Sequence, residues 1–315
     1  MSPKMRWMGC ATAVVAAMAL SCSLAYGQAK VGTTGAQFLE IGVSARADGM
    51  GGAFSAVADD ATAMYYNPAG LVQLGGREAA FTLVSYPAEI QYMFAGVALP
   101  LTFGGVLGIS VYGLDAGDIP KTTYEYSLGV PGWTFGASDY ALGVTYSRYL
   151  TDRFSLGVTA KWIDELYEEE RATGWAADVG TCYNTGFRDF KITMVISNFG
   201  PDMKFISQPY PLPINFHFGA AIDVLDGGRH QATFAMEGSH PSDNLEKYNA
   251  GLEYWYSDVL AVRVGDRFEY DLSGVTWGLG FRVPVGKERK LAVDYARQNF
   301  GVLGDIDRYT IGLSF

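Results

Sequence analysis

Hydrophobic and polar residues alternate with a period of two through most of the chain from Arg77 onward. This period is typical of β-strands that turn one face toward an apolar environment and the other toward a polar one. The same alternation recurs in residues 140–147, 214–224 and 277–283. In residues 154–162 the apolar face consists of Phe154, Leu156, Val158, Ala160 and Trp162, and the opposite face of Ser155, Gly157, Thr159 and Lys161.

About fourteen such segments follow one another between residues 77 and 315. Each has roughly ten residues, which is enough for a tilted strand to cross the hydrocarbon layer of a membrane. An even strand count fits a closed bacterial barrel. We therefore predict an all-β fold: a transmembrane outer-membrane β-barrel of about 14 antiparallel strands. A secreted β-sandwich is the soluble alternative, but it would not need an apolar face on every strand. The segments lie near 77–86, 89–100, 104–114, 139–149, 154–166, 173–184, 187–198, 213–224, 230–239, 245–256, 259–270, 274–283, 289–298 and 307–315.

The connections between the predicted strands are alternately long and short. The two longest, 115–138 and 199–212, fall on the same side of the predicted barrel. Connections on the other side are short and contain turn residues, such as Asn184-Thr185-Gly186 and Asp226-Gly227-Gly228. Short periplasmic turns with longer outer loops are characteristic of outer-membrane barrels.

The first 27 residues have the order of a secretory signal peptide. Lys4 and Arg6 precede an apolar run from about residue 7 to 24, and small residues at Ala25 and Gly27 suit cleavage before Gln28. A membrane anchor and a lipid-modified Cys22 are the alternatives. Cleavage would leave Cys182 as the only cysteine, so the mature chain could form neither an internal disulfide nor a cysteine-based zinc site.

Composition narrows the function further. The 315 residues include 39 glycines and 20 tyrosines, and only 18% are charged, which favours strands over an ordinary helical domain. A net charge of −10 argues against binding the phosphate backbone of nucleic acids. No catalytic elbow or phosphate-binding loop is present, and His217, His230 and His240 lack metal-site spacing. We therefore predict no enzyme activity, no catalytic residue, no cofactor and no metal site.

Residues 28–76 lack the strand alternation and form a separate segment before the barrel. Short helical stretches are predicted at 37–41 and 45–47, and glycines at 49–53 interrupt them. Asp59 and Asp60 precede a short helix at 61–66 that either carboxylate could cap, with a cation site as the alternative role. Asn67 followed by Pro68 is the pattern of an N-cap with proline in the first helical turn.

Four motifs within residues 44–74 give this segment a specific resemblance. They are Ala45-Arg46-Ala47, Met50-Gly51-Gly52-Ala53, Ala58-Asp59-Asp60-Ala61 and Asn67-Pro68-Ala69-Gly70. In this combination the segment resembles the N-terminal signature of PorV/PorQ outer-membrane proteins, which belong with the FadL-like barrels. The resemblance implies a signal peptide (1–27), a plug inside the lumen (28–76) and a barrel (77–315). It assigns plug or gating roles to Arg46, Gly51, Gly52, Asp59, Asp60, Asn67, Pro68, Ala69 and Gly70.

The inward faces of the predicted strands carry glycines and charges. Glycines at 143, 157, 219, 251, 265 and 280 would leave room for a backbone inside the barrel. Charges are costly toward lipid and should face the lumen, where they could pair with one another or with Arg46, Asp59 and Asp60. Plug docking and solvation, or contact with a substrate, are the two roles open to them. The charged positions are Lys161, Asp178, Asp223, Glu237, Glu253, Arg263, Arg282 and Asp294.

Two functions fit this organisation. The first is a FadL-like passage for small hydrophobic molecules, in which apolar residues of the outer loops capture the solute or, alternatively, form the interfacial girdle. The second is a non-conducting scaffold of a type IX secretion system that binds exported proteins. The outer-loop residues concerned are Tyr124, Tyr126, Trp133, Phe135, Met203, Phe205 and Ile206.

The last strand ends in a pattern that resembles the signal read by the barrel assembly machinery. Its apolar face consists of Tyr309, Ile311, Leu313 and the terminal Phe315. The expected partners are therefore outer-membrane lipid, the assembly machinery, and either hydrophobic small molecules or secreted proteins. The expected location is the outer membrane of a Gram-negative-type bacterium.

Overall fold

The strands of the chain form one closed antiparallel barrel. The computed structural model describes residues 31–102, 104–272, 274–286 and 289–315. Fourteen strands pair with their neighbours around the ring, and the first pairs with the last, from Glu78 against Ser314 to Ser85 against Asp307. The predicted all-β barrel of fourteen strands is confirmed. The signal peptide and its cleavage site near Gly27 and Gln28 lie outside the described residues.

The described residues contain sixteen strands in all: the fourteen of the barrel and two that form a separate hairpin. The barrel strands are β1 (Glu78–Ser85), β2 (Gln91–Pro100), β3 (Val106–Pro120), β4 (Thr134–Thr151), β5 (Phe154–Tyr167), β6 (Glu170–Asn184), β7 (Lys191–Phe199), β10 (Asn215–Gly227), β11 (His230–Pro241), β12 (Lys247–Tyr256), β13 (Leu260–Phe268), β14 (Thr276–Val285), β15 (Arg289–Asn299) and β16 (Asp305–Ser314). The hairpin consists of β8 (Met203–Phe205) and β9 (Gln208–Tyr210).

The alternation along each strand separates an apolar outside from a polar inside. On β5, Trp162 is 48% exposed on the outer surface, whereas Lys161 on the inner face is 3% exposed. Val158 and Thr159 divide in the same way. The outer surface therefore carries an apolar band of the kind that faces lipid. No helix in the described parts of the chain is both long and apolar enough to cross a membrane.

The two ends of the barrel differ. Connections 121–133, 168–169, 200–214 and 242–246 lie at one end, which we call the loop end. Connections 152–153, 185–190, 228–229 and 257–259 lie at the other, the turn end, together with the last strand's terminus.

Two predicted loops differ from expectation, one in its length and the other in its internal structure. A bulge between Asp115 and Asp118 lets β3 and β4 continue pairing to Pro120 and Thr134, so the predicted loop 115–138 shrinks to 121–133. The predicted loop 199–212 contains the β8–β9 hairpin, in which Met203 pairs with Tyr210. Neither the added residues of β3 and β4 nor the hairpin show the long alternation on which the strand prediction rested.

Residues 31–77, the luminal segment, run inside the ring. Their short helices contact inner faces of strands on both sides of the barrel, from β3–β6 to β13–β16. The helices are a 3₁₀ turn (Gln37–Glu40), two single α-turns (Ala45–Gly49 and Ala63–Tyr66) and a second 3₁₀ helix (Pro68–Gln73).

The predicted cap by Asp59 or Asp60 is wrong, because the second α-turn begins at Ala63 and Thr62 is its N-cap. Asp60 instead accepts a hydrogen bond from the Thr62 amide at 2.8 Å.

Candidate functional site

The luminal segment crosses the barrel from the loop end to the turn end. At the loop end, the Gly35 amide donates to the carbonyl of Pro211, and the Ala36 amide donates to Glu165, both at 3.0 Å. At the turn end, the hydroxyl of Ser155 donates to the carbonyl of Ala69 at 2.9 Å. The segment therefore extends through the lumen from one end of the barrel to the other.

Glycines of the wall bring this segment into direct backbone contact. A Cβ atom at Gly265 would lie 2.0 Å from the amide nitrogen of Gly51, and one at Gly251 would lie 2.3 Å from the carbonyl oxygen of Met50. Gly51 and Gly52 both have a positive φ, which L-residues with side chains rarely adopt. We call Gly51, Gly251 and Gly265 the glycine seam.

The other inward glycines divide into two groups. Side chains at Gly157 and Gly219 would also meet the luminal segment, at Pro68 and Ser55. Gly143 and Gly280 instead leave room for side chains of the wall, Ser110 and Arg263.

Arg46 is the main electrostatic link between segment and wall. Its guanidinium donates to both carboxylate oxygens of Glu253, each at 2.8 Å, and to Asp59 at 2.5 Å and Asp60 at 3.3 Å. Burial opposes its charge, but Asp59 and Glu253 outweigh burial and raise the pKa of Arg46. Planar bidentate pairing of this kind fixes position as well as charge.

The ion pairs continue along the wall. Arg263 on β13 donates to Glu253 and to Asp294 on β15, each at 2.6 Å. Asp48 of the segment meets Arg267 on β13 and lies 2.5 Å from Arg308 on β16. Charges buried in this way are tolerated because they are paired.

In the middle of the segment, the wall binds backbone amides and a hydroxyl group rather than charged side chains. The carboxylate of Glu237 accepts from the amides of Phe54 at 3.2 Å and Ser55 at 2.9 Å, and it also contacts His217 at 3.0 Å. The hydroxyls of Ser55 and Thr193 lie 3.0 Å apart.

Asn67 anchors the segment near the turn end and is completely buried. Its side-chain oxygen accepts from the Ala69 amide at 3.0 Å, as predicted for an N-cap, with Pro68 following in the first turn. Its amide nitrogen donates to the carbonyls of Ser55 at 2.9 Å and Thr181 at 3.3 Å. Gly70 follows with no room for a side chain, because a Cβ there would lie 2.0 Å from the Ala58 carbonyl oxygen.

A cavity of about 430 Å³, the luminal cavity, separates the segment from the wall on the loop side. Its lining mixes aromatic groups such as Tyr66 and Phe300 with polar groups such as Glu40, Asn215 and Arg308. Burial, followed by the charge of Asp243, raises the pKa of Glu40.

A second cavity of about 650 Å³, the mouth pocket, lies at the loop end. It is built by Asp139, Glu165, Tyr167, Phe205 and Tyr210, together with the start of the luminal segment. Ile41 and Tyr86 line both cavities, so the two are adjacent.

A third cavity of about 240 Å³ lies at the turn end, beside Gln73, Ser155 and Cys182. It shares no lining residue with the other two cavities, and Gln73 is its one contribution from the luminal segment.

The predicted luminal charges do not all reach this segment. Glu237 and Glu253 bind it directly, Arg263 and Asp294 extend the Arg46 cluster, and Lys161 pairs with Asp178 at 2.7 Å. Among the described contacts, Asp223 and Arg282 join neither the segment nor the other predicted luminal charges, which departs from both pairings that the sequence left open. Thr233 donates to Asp223 at 2.7 Å, and Arg282 donates to Asp258 at 2.7 Å, because both residues lie near the turn end.

The predicted outer-loop residues also divide. Tyr124, Tyr126, Trp133 and Ile206 are exposed, as an outer apolar surface requires. Phe135 lies in β4, and Met203 is only 1% exposed because it packs against Gly174 of the wall. Phe205 is half-buried between two tyrosine rings. An exposed capture surface therefore does not include these last three side chains.

The outward face of the last strand has the predicted composition. Tyr309, Ile311, Leu313 and Phe315 are all exposed on the outer surface. The amide of Phe315 donates to the carbonyl of Arg77 at 2.9 Å, which ties the terminus to the start of β1.

Sequence reasoning named Phe205 but missed the two carboxylates of the mouth pocket. Its two carboxylates could have been found from strand parity, because Asp139 and Glu165 share the inward parity of Thr145 and Lys161 on their strands. Their proximity could not, because it depends on the register that pairs Asp139 with Glu165.

Comparison with solved structures finds proteins with the same fold. CymD, described as a monoaromatic hydrocarbon channel, gives a TM-score of 0.59 at 14% identity and covers 87% of this chain and 98% of its own. The toluene transporter TbuX of Ralstonia pickettii gives 0.60 at 15% identity, with coverage of 86% and 97%. A FadL homologue of Pseudomonas aeruginosa gives 0.55 at 11% identity, with coverage of 87% and 98%. At these identities the likeness shows the fold.

Neither a family model nor a curated protein matches the chain. What the three structures share with this chain is the fold.

Proposed function

We propose that this barrel is an outer-membrane passage for small hydrophobic molecules, with residues 31–77 as its plug. The observation that carries the proposal is that cavities lie at both ends of the barrel while the segment lies against the wall inside it. The fold shared with a monoaromatic hydrocarbon channel and a toluene transporter supports the same function. The apolar outer band supports a location in the outer membrane.

Opening requires the segment to move where it now blocks the passage. The two regions concerned are 49–53, along the glycine seam, and 67–70, at the Asn67 anchor. Both are short, rich in small residues and bounded by contacts to the wall, so a local rearrangement could connect the cavities without changing the barrel. We assign plug or gating roles to these residues and to Arg46, Asp59 and Asp60.

The finer assignment to the PorV/PorQ type is part of this proposal. It rests on the four motifs of residues 44–74, whose members form the Arg46 cluster, the glycine seam and the Asn67 anchor. A scaffold role in type IX secretion is not proposed, because the described connections are short and no observation points to a bound protein. We also propose that Phe315 and its face address the chain to the barrel assembly machinery, which deletion of Phe315 would test through loss of the folded, heat-modifiable form.

Uptake by whole cells is the appropriate test of passage. Hydrocarbons cross a plain phospholipid bilayer unaided, whereas a lipopolysaccharide outer leaflet resists them, so the barrel should be expressed in a host with that leaflet. We expect faster initial uptake of radiolabelled toluene than in cells that carry an empty vector, with sucrose uptake unchanged. Equal toluene uptake in the two strains would overturn the passage.

A reversible tether tests the movement of the segment. Ser55→Cys and Thr193→Cys place two thiols where the hydroxyl oxygens lie 3.0 Å apart. The pair should be made with Cys182→Ser, because Cys182 is the strand partner of Thr193. We expect oxidation to stop toluene uptake and reduction to restore it. Full uptake with the disulfide demonstrably formed would refute any gating that requires the segment to leave the wall at Ser55, between the two regions.

A further inference from the structure

The mouth pocket contains two buried carboxylates side by side. The register of the barrel places Leu114, Asp139 and Glu165 in one row on the inner faces of β3, β4 and β5. Asp139 is 4% exposed and Glu165 is 2% exposed. Two acidic groups on directly opposed strand positions repel each other, so their burial calls for a compensating positive charge.

The described residues place no positively charged side chain in this pocket. No Lys, Arg or His lines the mouth pocket along this described part of the chain. Glu165 is held by neutral donors, namely the Ala36 amide at 3.0 Å and the Tyr210 hydroxyl at 3.0 Å.

Asp139 has fewer hydrogen-bond donors than Glu165. The Tyr167 hydroxyl lies 3.4 Å from both carboxylates, beyond the usual range of an O–H···O bond, and it has only one proton to donate. The other carboxylate oxygen of Asp139, Oδ1, is buried without a hydrogen-bond partner. An unpaired buried carboxylate is costly unless a ligand or a proton neutralises it.

Aromatic rings also line this pocket. The rings of Tyr167 and Phe205 stack with centroids 5.1 Å apart and an interplanar angle of 6°, and the ring of Tyr210 lies 6.3 Å from that of Phe205. Phe38 and Tyr86 also line the pocket. Aromatic faces attract cations, and aromatic walls combined with carboxylates are the usual environment of bound ammonium groups.

The hairpin that carries two of these rings is fixed in place. A Cβ atom at Gly35 would lie 1.9 Å from Cε2 of Tyr210, so the luminal segment and β9 are in close contact. Met203 at the other end of the hairpin is buried against the wall. The rings of Phe205 and Tyr210 are thus held in the same pocket as the carboxylates in a preformed arrangement.

We propose that the mouth pocket is a binding site for an organic cation, an ammonium group with alkyl substituents. The carboxylates of Asp139 and Glu165 neutralise its charge, and the rings of Tyr167, Phe205 and Tyr210 enclose its alkyl groups. A bare metal ion would gain little from such walls, and a neutral hydrocarbon would leave the carboxylates uncompensated. The site does not depend on the proposed passage, because binding can occur whether or not the lumen conducts.

Calorimetric titration of the purified full-length barrel in a nonionic maltoside detergent tests the site. The probes are choline and its neutral isostere 3,3-dimethyl-1-butanol, at constant ionic strength. We expect choline to bind with a stoichiometry of one, and at least about tenfold more tightly than the isostere, which corresponds to about 1.4 kcal/mol. Equal binding of the two probes would show an apolar pocket only. Displacement of choline by K⁺ or Ca²⁺ at equal concentration would show an inorganic cation site. Either result would overturn the proposal.

Variants separate the carboxylates from the rings. Asp139→Asn and Glu165→Gln should each weaken choline binding at least about tenfold, and Phe205→Leu should weaken it by about two- to thirtyfold. The matched control is Asp164→Asn, one residue from Glu165 on β5, where the carboxylate pairs with Arg171 away from the pocket. Unchanged binding in both carboxylate variants would refute the site. The comparison of choline with its isostere on the unmodified barrel decides the question even if a variant fails to fold.

Discussion

Arg46 of the luminal segment donates two hydrogen bonds of 2.8 Å to the two carboxylate oxygens of Glu253 on β12. This contact joins residues 207 positions apart in the chain, and Arg263 shares the same carboxylate from the wall side. The wall pair of Glu253 and Arg263 would persist without Arg46. Arg46 therefore stabilises the docking of the segment against the wall and contributes little to the stability of the barrel itself.

Replacing Arg46 by methionine should loosen the segment and leave the barrel folded. Removing one partner of a buried ion pair costs about 3–5 kcal/mol when the other charge is left unpaired. The cost here should be smaller, because Glu253 keeps its pair with Arg263. We expect faster amide hydrogen exchange and protease cleavage within residues 31–77, with unchanged heat-modifiable migration of the barrel. Arg171→Gln, which removes an exposed arginine from its pair with Asp164, is the control and should change neither measurement. Equal protection of the segment in the Arg46 variant would contradict the role assigned to this cluster.

The glycine seam predicts a second, purely steric effect. A methyl group at Gly251 would collide with the backbone of Met50 at 2.3 Å, so Gly251→Ala should push the segment away from β12 at a cost of about 1–3 kcal/mol. Toluene uptake should rise if the displaced segment opens the passage, and segment protection should fall. Gly136→Ala on β4 is the matched control, because nothing lies within 4 Å of its added methyl group. Identical behaviour of the two variants would show that contact at the seam is not limiting.

The alternation of residues was sufficient to predict the barrel because lipid and lumen impose opposite demands on successive positions. Thr159 and Lys161 turned inward, and Trp162 outward, as the pattern required. The Asn67 cap was predictable for a similar reason, since asparagine before proline has a strong local preference.

Contacts that depend on strand register, or that join residues far apart in the chain, could not be predicted from the sequence. The pairing of Arg46 with Glu253 links two segments with no shared local pattern, and the proximity of Asp139 to Glu165 follows from strand pairing. The β8–β9 hairpin was missed because three-residue strands are too short to show alternation. Phe205 and Met203 were therefore assigned to an exposed loop although the hairpin buries them to different extents.

Asn67 gives a third prediction, now at the turn end. Asn67→Ala removes the cap of the 3₁₀ helix and leaves the Ser55 carbonyl without its donor, at a cost of about 2 kcal/mol. We expect faster hydrogen exchange at residues 67–74 and no loss of barrel assembly. Gln73→Ala, at the end of the same helix, should have a much smaller effect because its side-chain hydrogen bond to the Ala58 carbonyl is 3.5 Å long. Similar exchange rates in the two variants would argue against Asn67 as the anchor.

Glu40 makes the docking of the segment dependent on pH. Burial and the nearby charge of Asp243 raise its pKa above the ordinary value, while Lys247, His217 and the amide of Asn215 only partly oppose them. The folded state therefore retains a proton that the unfolded segment releases. The contribution of Glu40 to stability is present below its ordinary pKa, about 4.5, and is lost as the pH rises through the raised folded-state pKa.

Glu40→Gln should accordingly remove this loss, because glutamine occupies the same space without a charge. We expect the variant to protect residues 31–77 from exchange better than the unmodified chain at pH 8, and equally well at pH 4 after correction for intrinsic exchange rates. The control is Glu89→Gln, which changes an exposed carboxylate near the loop end without affecting the lumen. Gln37→Glu would be unsuitable because it would add a charge beside Asp243. If the variant protected the segment less than the unmodified chain at pH 8, the charged form of Glu40 would stabilise the docked state, contrary to the direction in which burial shifts its pKa.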